Sequence, residues 1–210
     1  MTSTTRRGRP RETDARRLEL SALRLFATQG FEQTTVEQIA VGVGVSKRTF
    51  FRYFDSKVAV LWHAFDTEID AIRAGLAEAP PELPIIAAVR HGVLAANRRS
   101  SMDLAELRVR ITLLRAVPEL MASATRHYEA WARVVADFVA QRTGQPTESL
   151  YPLAIGRATL AICRTAYDQW ATRADSDLAT YLDLALRGLE AGFADSAIIA
   201  PEPGSEVIEV

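Results

Sequence analysis

Residues 34–57 read Thr34-Thr35-Val36-Glu37-Gln38-Ile39-Ala40-Val41-Gly42-Val43-Gly44-Val45-Ser46-Lys47-Arg48-Thr49-Phe50-Phe51-Arg52-Tyr53-Phe54-Asp55-Ser56-Lys57. Two helix starts are written into this stretch. Thr35 with Gln38 three residues on makes a capping box, and Ser46 can cap a helix beginning at Lys47. The spacing predicts one helix of about two turns, Val36 to Val41, and a second from Lys47 to Phe54. Between them Gly42 and Gly44 offer positions where positive φ costs little, so the backbone can reverse without a long loop. The second helix is too short and too aromatic to stand alone, so Phe50, Tyr53 or Phe54 must pack on neighbours while Lys47, Arg48 and Thr49 point outward. Two short helices at a sharp turn form a helix-turn-helix.

The outward turn of the second helix presents two cations and a hydroxyl beside the positive end of a helix dipole, an arrangement that suits an anion. In a helix-turn-helix this turn enters the major groove of DNA. The plainer reading of the same pattern is a helical hairpin with solvated charges. Gly42-Val-Gly44-Val-Ser-Lys47 is not a phosphate-binding loop, because it follows a helix and lacks the Gly-Lys-Ser/Thr ending.

Charge distribution agrees with a basic head. Residues 1–60 hold 11 Lys+Arg and 6 Asp+Glu, a net +5, whereas residues 61–210 hold 14 and 20, a net −6. Basic charge therefore gathers around the helix-turn-helix, where phosphate neutralisation needs it, and an acidic remainder argues against DNA wrapping the whole molecule. A chain of 210 residues with 48% hydrophobic and 24% charged residues can bury a sizeable core as one domain or two small ones. The absence of an apolar run of about 18 residues and of a signal-peptide pattern predicts a cytoplasmic protein with no membrane partner. The single cysteine, Cys163, lies in the apolar run Leu160-Ala-Ile-Cys and reads as a small buried hydrophobe, with a redox-sensing thiol as the alternative.

Outward from the central motif, residues 1–12 form an expected flexible basic arm, with Arg9 and Arg11 as candidate phosphate or minor-groove contacts. A first helix is predicted from Thr13 to Gln29, stopped by Gly30, giving a DNA-binding domain over 13–57. A fourth helix from Asp55 or Ser56 carries Val58, Leu61, Trp62, Phe65, Ile69, Ile72 and Leu76 as one apolar stripe, and should bridge head and body without a break. Further helices are predicted over Ile85–Arg98, Leu104–Ala116, Glu119–Arg142, Ser149–Ala174 and Asp177–Phe193, about nine in all. Nothing from residue 61 onward alternates as strands do. The expected fold is all-α: a three-helix head and a helical ligand-binding and dimerisation domain over 58–195, then a disordered tail over 196–210.

The eighth helix is apolar on more than one face, with Leu153, Leu160 and Tyr167 on one side and Ile155, Ile162, Ala166 and Trp170 on another. One face can meet the protein's own core while the other needs a partner. Ala185, Gly188 and Gly192 add small residues that permit close helix approach. Together Ile155, Ile162, Trp170, Ala185, Gly188 and Gly192 are the candidate homodimer interface, whose two-fold symmetry would require a palindromic operator. Helices five to seven mix aromatic and flexible apolar residues with isolated polar ones. Phe65, Leu107, Ile111, Leu114, Met121, Tyr128, Trp131, Arg164 and Tyr167 are candidates to line a ligand pocket, with plain core as the alternative for each. Arg157 and Arg164 sit on an apolar helix, where an unpaired buried charge is costly. Arg164 could pair with Asp168 at i,i+4, or anchor an anionic ligand.

At this point the residues carry a resemblance. Thr-Thr-Val-Glu-Gln-Ile-Ala, followed by Gly-Val-Ser-Lys-Arg-Thr-Phe-Phe-Arg-Tyr-Phe-Asp-Ser-Lys, is similar to the DNA-binding domain of the TetR family of bacterial transcriptional regulators. The segments at Trp62–Asp66, 127–140 and 166–170 resemble the regulators that accompany mycofactocin gene clusters. The resemblance implies a homodimeric DNA-binding repressor that pairs through helices 8 and 9. It also implies a cavity among helices 4 to 8, and release by a small apolar or acyl-CoA-like effector. It nominates Thr35, Ser46, Lys47, Arg48, Thr49, Phe51, Arg52 and Lys57 as DNA contacts. Phe51 stands where the family usually has a phosphate-binding Tyr, which shifts that task toward Lys57, Thr35 and the arginines.

Two other functions remain in view. One is a DNA-binding protein without a ligand, regulated by a partner or acting architecturally. The other is an enzyme, but His63, His91 and His127 lack metal-ligand spacing and no catalytic or cofactor fingerprint occurs, so neither metal nor cofactor is expected.

Overall fold

In the computed structural model the Thr35 hydroxyl accepts from the Gln38 amide at 3.2 Å while the Gln38 side chain accepts from the Thr35 amide at 2.8 Å. This capping box starts α2 (Val36–Gly42). Ser46 accepts from the Thr49 amide at 3.1 Å and starts α3 (Lys47–Phe51). α3 stops three residues before the expected Phe54, because Phe54 turns inward to pack 5.5 Å from the buried Phe50 ring. Only one turn glycine has positive φ, Gly44 at 74°. Gly42 is needed for closeness instead: a Cβ there would lie 2.5 Å from Ser21 Oγ, whose hydroxyl donates to the Ile39 carbonyl at 3.2 Å.

The structure describes residues 11–99, 103–173, 175 and 177–192, the side chains of 11–13 and 66 excepted. The basic arm including Arg9, the side chain of Arg11, Phe193 and the tail from 196 lie outside those residues. α1 (Arg11–Gln29) begins two residues earlier than expected. It buries Leu18, Ala22 and Phe26 with Phe31, Ile39 and Phe50 in the first of two cores. Arg17 donates to the Val43 carbonyl at 3.0 Å, tying α1 to the turn of the motif.

The single long fourth helix is not found. A 3₁₀ turn (Val58–Trp62) comes first, and α4 (Phe65–Ala77) starts after His63 and Ala64. No proline or glycine lies at the break; a tertiary anchor accompanies it instead. The Trp62 indole donates to Ser123 Oγ at 2.9 Å and its ring stacks on His127 at 4.3 Å, so the chain is drawn tight against a helix some 60 residues away.

The body continues with α5 (Ile85–Arg99), α6 (Leu104–Ala116), α7 (Pro118–Thr143), α8 (Leu150–Arg173) and α9 (Leu178–Glu190). The fold is all-α, with nine α-helices and no strand among the described residues. A second core gathers Ile72, Val89, Val93, Trp131, Val135, Trp170, Leu182 and Leu186 from α4, α5, α7, α8 and α9. Two glycines set its tightest crossings. A Cβ on Gly75 of α4 would lie 2.4 Å from the Gly92 carbonyl oxygen of α5, and one on Gly156 of α8 would lie 2.4 Å from the Ala132 carbonyl oxygen of α7. The first core reaches past residue 57: Val60, Leu61 and Trp62 belong to it, as do Leu113, Leu114, Leu120 and Ala124 from α6 and α7. Head and body thus share apolar surface. No described helix is long and apolar enough to cross a membrane.

Candidate nucleic-acid interface and ligand cavity

The exposed edge of the head is built from short-range constraints. Ser46 holds the first turn of α3 through the Thr49 amide and lies 3.0 Å from its hydroxyl. Lys47 and Arg48 are thereby displayed on the surface. Lys47 is ion-paired with Glu37 of α2, and this contact holds the exposed Glu37 carboxyl below its usual range. Arg48 makes no ion pair among the described residues and is the freer cation of the two. Arg52 donates to the Tyr53 hydroxyl at 3.1 Å and lies over that ring. Phe51 is 46% exposed, an aromatic edge beside these cations.

Lys57 faces elsewhere. Its ammonium donates to the Phe31 carbonyl at 2.7 Å and sits 4.0 Å from the Phe31 ring centroid. These contacts tether the end of the motif to the loop after α1. Thr35 is exposed, with its hydroxyl engaged in the cap.

Beneath the head, a cavity of about 100 Å³ lies among α4, α6, α7 and α8. Phe65 borders it from α4; Leu107, Ile111 and Leu114 from α6; Met121, Tyr128 and Trp131 from α7; and Arg164 and Tyr167 from α8. The Tyr167 hydroxyl donates to Asn97 Oδ1 at 3.1 Å. Arg164 does not pair with Asp168 as its spacing suggested; its guanidinium lies 4.7 Å from the Tyr128 ring centroid and 3.7 Å from Met121 Sδ. Arg157 is exposed rather than in the core, 3.6 Å from Glu129. Burial pushes the Cys163 thiol up to about 12, which leaves it an inert wall of the cavity and removes the redox reading.

The sequence reading missed the charges around this cavity. Glu19 of α1 is fully buried and accepts from Arg110 of α6 at 2.6 Å and from Arg16 at 2.7 Å. Arg16 also pairs with Glu106 of α6. Arg110 and Glu68 of α4 both border the cavity, and burial raises the Glu68 carboxyl to about 7. Only the run Arg16-Arg17-Leu-Glu19 on an apolar helix hinted at it, and its partners lie some 90 residues away.

Comparisons place the chain. Residues 20–63 match the model of bacterial regulatory proteins of the tetR family, and residues 83–194 match the MftR C-terminal domain. The chain belongs to the TetR family. It is therefore a DNA-binding transcriptional regulator. A Mycobacterium tuberculosis protein named as a mycofactocin biosynthesis transcriptional regulator, MftR, is 32% identical over 163 residues, 78% of this chain and 82% of that protein. Among solved structures, the fatty acid degradation regulator FadR of Bacillus halodurans superposes with a TM-score of 0.65 at 17% identity, over 89% of this chain and 98% of that one. Thermus thermophilus FadR, a TetR-family repressor in complex with lauroyl-CoA, gives 0.59 at 22% identity over 90% and 97%. At these identities the structural likeness speaks for the fold.

Two residues expected at a dimer interface are placed elsewhere in this regulator. Trp170 is buried in the protomer's own core with Arg108 4.5 Å from its ring centroid, because the α8 face bearing Thr159, Cys163 and Ala166 turns inward. Gly192 follows the end of α9 with φ 65°, serving chain reversal rather than close helix approach. Ile155, Ile162, Ala185 and Gly188 are half-buried, and the adjoining α8 surface, Tyr151, Ala154, Ala161, Thr165 and Gln169, is exposed.

Proposed function

We propose that the chain is an effector-released repressor that binds a palindromic operator as a homodimer. One observation carries the reading: Trp62 belongs to the core of the head and also borders the cavity. The cavity, at about 100 Å³, is smaller than the few hundred cubic ångströms a drug-sized ligand occupies. Any such ligand binds an expanded body better than this one, and expansion moves Trp62 and the 3₁₀ turn against the head. That is the differential affinity a released repressor needs. The apolar lining suits an acyl chain, and the lauroyl-CoA in the Thermus thermophilus relative makes acyl-CoA thioesters the first effectors to test.

The same proposal assigns dimerisation to the exposed ridge of α8 with α9, and backbone phosphate contacts to Thr35, Arg52 and the arm residues Arg9 and Arg11. Selection of fragmented genomic DNA on the purified protein at rising salt tests it. Salt-resistant enrichment of a palindrome with half-sites about one helical turn apart is the expected outcome. Enrichment that melts away uniformly would reduce the binding to phosphate attraction alone. A bulky residue at Gly188 should yield monomers by light scattering, and a persistent dimer would place the interface elsewhere.

A further inference from the structure

We propose that Arg110 and Glu68 form a subsite for a carbonyl or carboxylate group of the effector, and that filling it draws Arg110 away from Glu19, loosening α1 of the head from α6. The inference rests on the cavity being the effector site. Its first support is an unmet donor: Arg110 is 6% exposed and borders the cavity, yet its Nε–H has no hydrogen-bond partner. A buried donor without an acceptor is costly, and a ligand oxygen relieves it.

Glu68 supplies the second donor. It borders the same cavity and makes no ion pair among the described residues. Burial and the nearby Glu19 raise its carboxyl while Arg110 lowers it, with a net value of about 7. A large neutral fraction therefore persists at neutral pH, and a neutral carboxyl offers an O–H. An N–H and an O–H bordering one cavity ask for an acceptor, and the apolar neighbours Phe65, Leu107 and Ile111 ask for a hydrocarbon attached to it.

The consequence for the head comes from the other bond Arg110 holds. Its Nη2 bonds Glu19 at 2.6 Å, and Glu19 lies in α1 beside Leu18, which is fully buried in the core under the helix-turn-helix. A guanidinium recruited by a ligand oxygen leaves Glu19 with Arg16 alone, and Arg16 is shared with Glu106. Ligand and Glu19 thus compete for one cation. By linkage, weakening the Glu19 arm must tighten ligand binding and blunt its effect on DNA.

The test uses the full chain, with quenching of tryptophan fluorescence as the binding signal, since Trp62 and Trp131 border the cavity. Dodecanoate, methyl dodecanoate and dodecylammonium are the probes, and anisotropy with the selected operator reads DNA release. Dodecanoate and its ester are expected to bind. Glu68→Ala and Arg110→Lys should weaken them about tenfold, the worth of one buried hydrogen bond, while Glu68→Gln, which keeps a donor, stays near wild type. Glu19→Gln should bind dodecanoate several-fold tighter yet release operator less; if it fails to fold, Glu19→Asp carries the same test.

Preferential binding of dodecylammonium, lost in Glu68→Gln, would overturn the subsite in favour of a cation site. Unchanged probe affinity and unchanged release in the Glu19 variants would overturn the competition while leaving the effector cavity intact. Failure of the wild-type protein to bind any probe would overturn the cavity reading, and the subsite with it.

Discussion

Arg48 and Arg110 carry the same guanidinium in opposite settings. Arg48 stands in water on α3 without an ion pair among the described residues, whereas Arg110 is enclosed between α1 and the cavity with Glu19 at 2.6 Å. In water a charge costs little to hold and its attractions are screened. Inside the protein it is expensive unless paired, and the pair then fixes the elements that bring it. The head therefore displays its cations without depending on them for its fold, while the junction with the body depends on charges it never displays.

The sharpest way to break that contrast is Arg110→Ala. It leaves the buried Glu19 with Arg16 alone and should cost about 2–3 kcal/mol in denaturant unfolding; a loss under about 1 kcal/mol would put Arg110 in the same class as a surface arginine. Next in size, Arg48→Ala should leave unfolding within about 0.5 kcal/mol of wild type while weakening the selected operator by about 1–3 kcal/mol. Undiminished operator affinity would mean that α3 does not read the groove through Arg48.

Glu68 sharpens the comparison through pH. Its folded carboxyl titrates near 7, above the ordinary value of 4.5, so the folded state binds the proton more tightly and loses stability as pH rises from about 4.5 to 7. Arg110 and Glu19 are the charged groups that face it. Glu68→Gln should match wild type near pH 4.5 and exceed it by about 1–2 kcal/mol at pH 8; parallel stability profiles would show that Glu68 is solvated. The smallest effect belongs to Lys57→Ala. Losing the Phe31 tether should lower stability by about 1 kcal/mol with the salt slope of DNA binding unchanged. A slope reduced by about one unit would return Lys57 to the phosphate contacts.

The same division explains what was legible. Thr35, Gln38, Ser46 and Gly44 act through hydrogen bonds and backbone angles within four residues, so the chain states them locally. Helix limits from α5 to α9 follow from caps and breakers such as Asp103, Pro118 and Asp177, and fall within about one residue of the reading, except that α9 stops at Glu190, three residues before the expected Phe193. The nine side chains nominated for a ligand are brought around one cavity because size and aromaticity on the faces of α4, α6, α7 and α8 converge there. Glu68 and Arg110 escaped notice because a charged residue on an amphipathic helix looks solvated until its neighbours are known.

By itself, then, the sequence determined the class of the fold, the helix-turn-helix with its displayed cations, and the family to which the regulator belongs, all of which rest on contacts between near neighbours in the chain. Tertiary structure decided the break between Trp62 and Phe65, the inward turn of Trp170, the tether of Lys57 to Phe31, and the Glu19–Arg110 pair. Each of these depends on a partner 26 to 91 residues away or on which helix face meets the core. Side-chain chemistry fixes what a residue can do, but its burial and its partner, which only packing supplies, fix what it does.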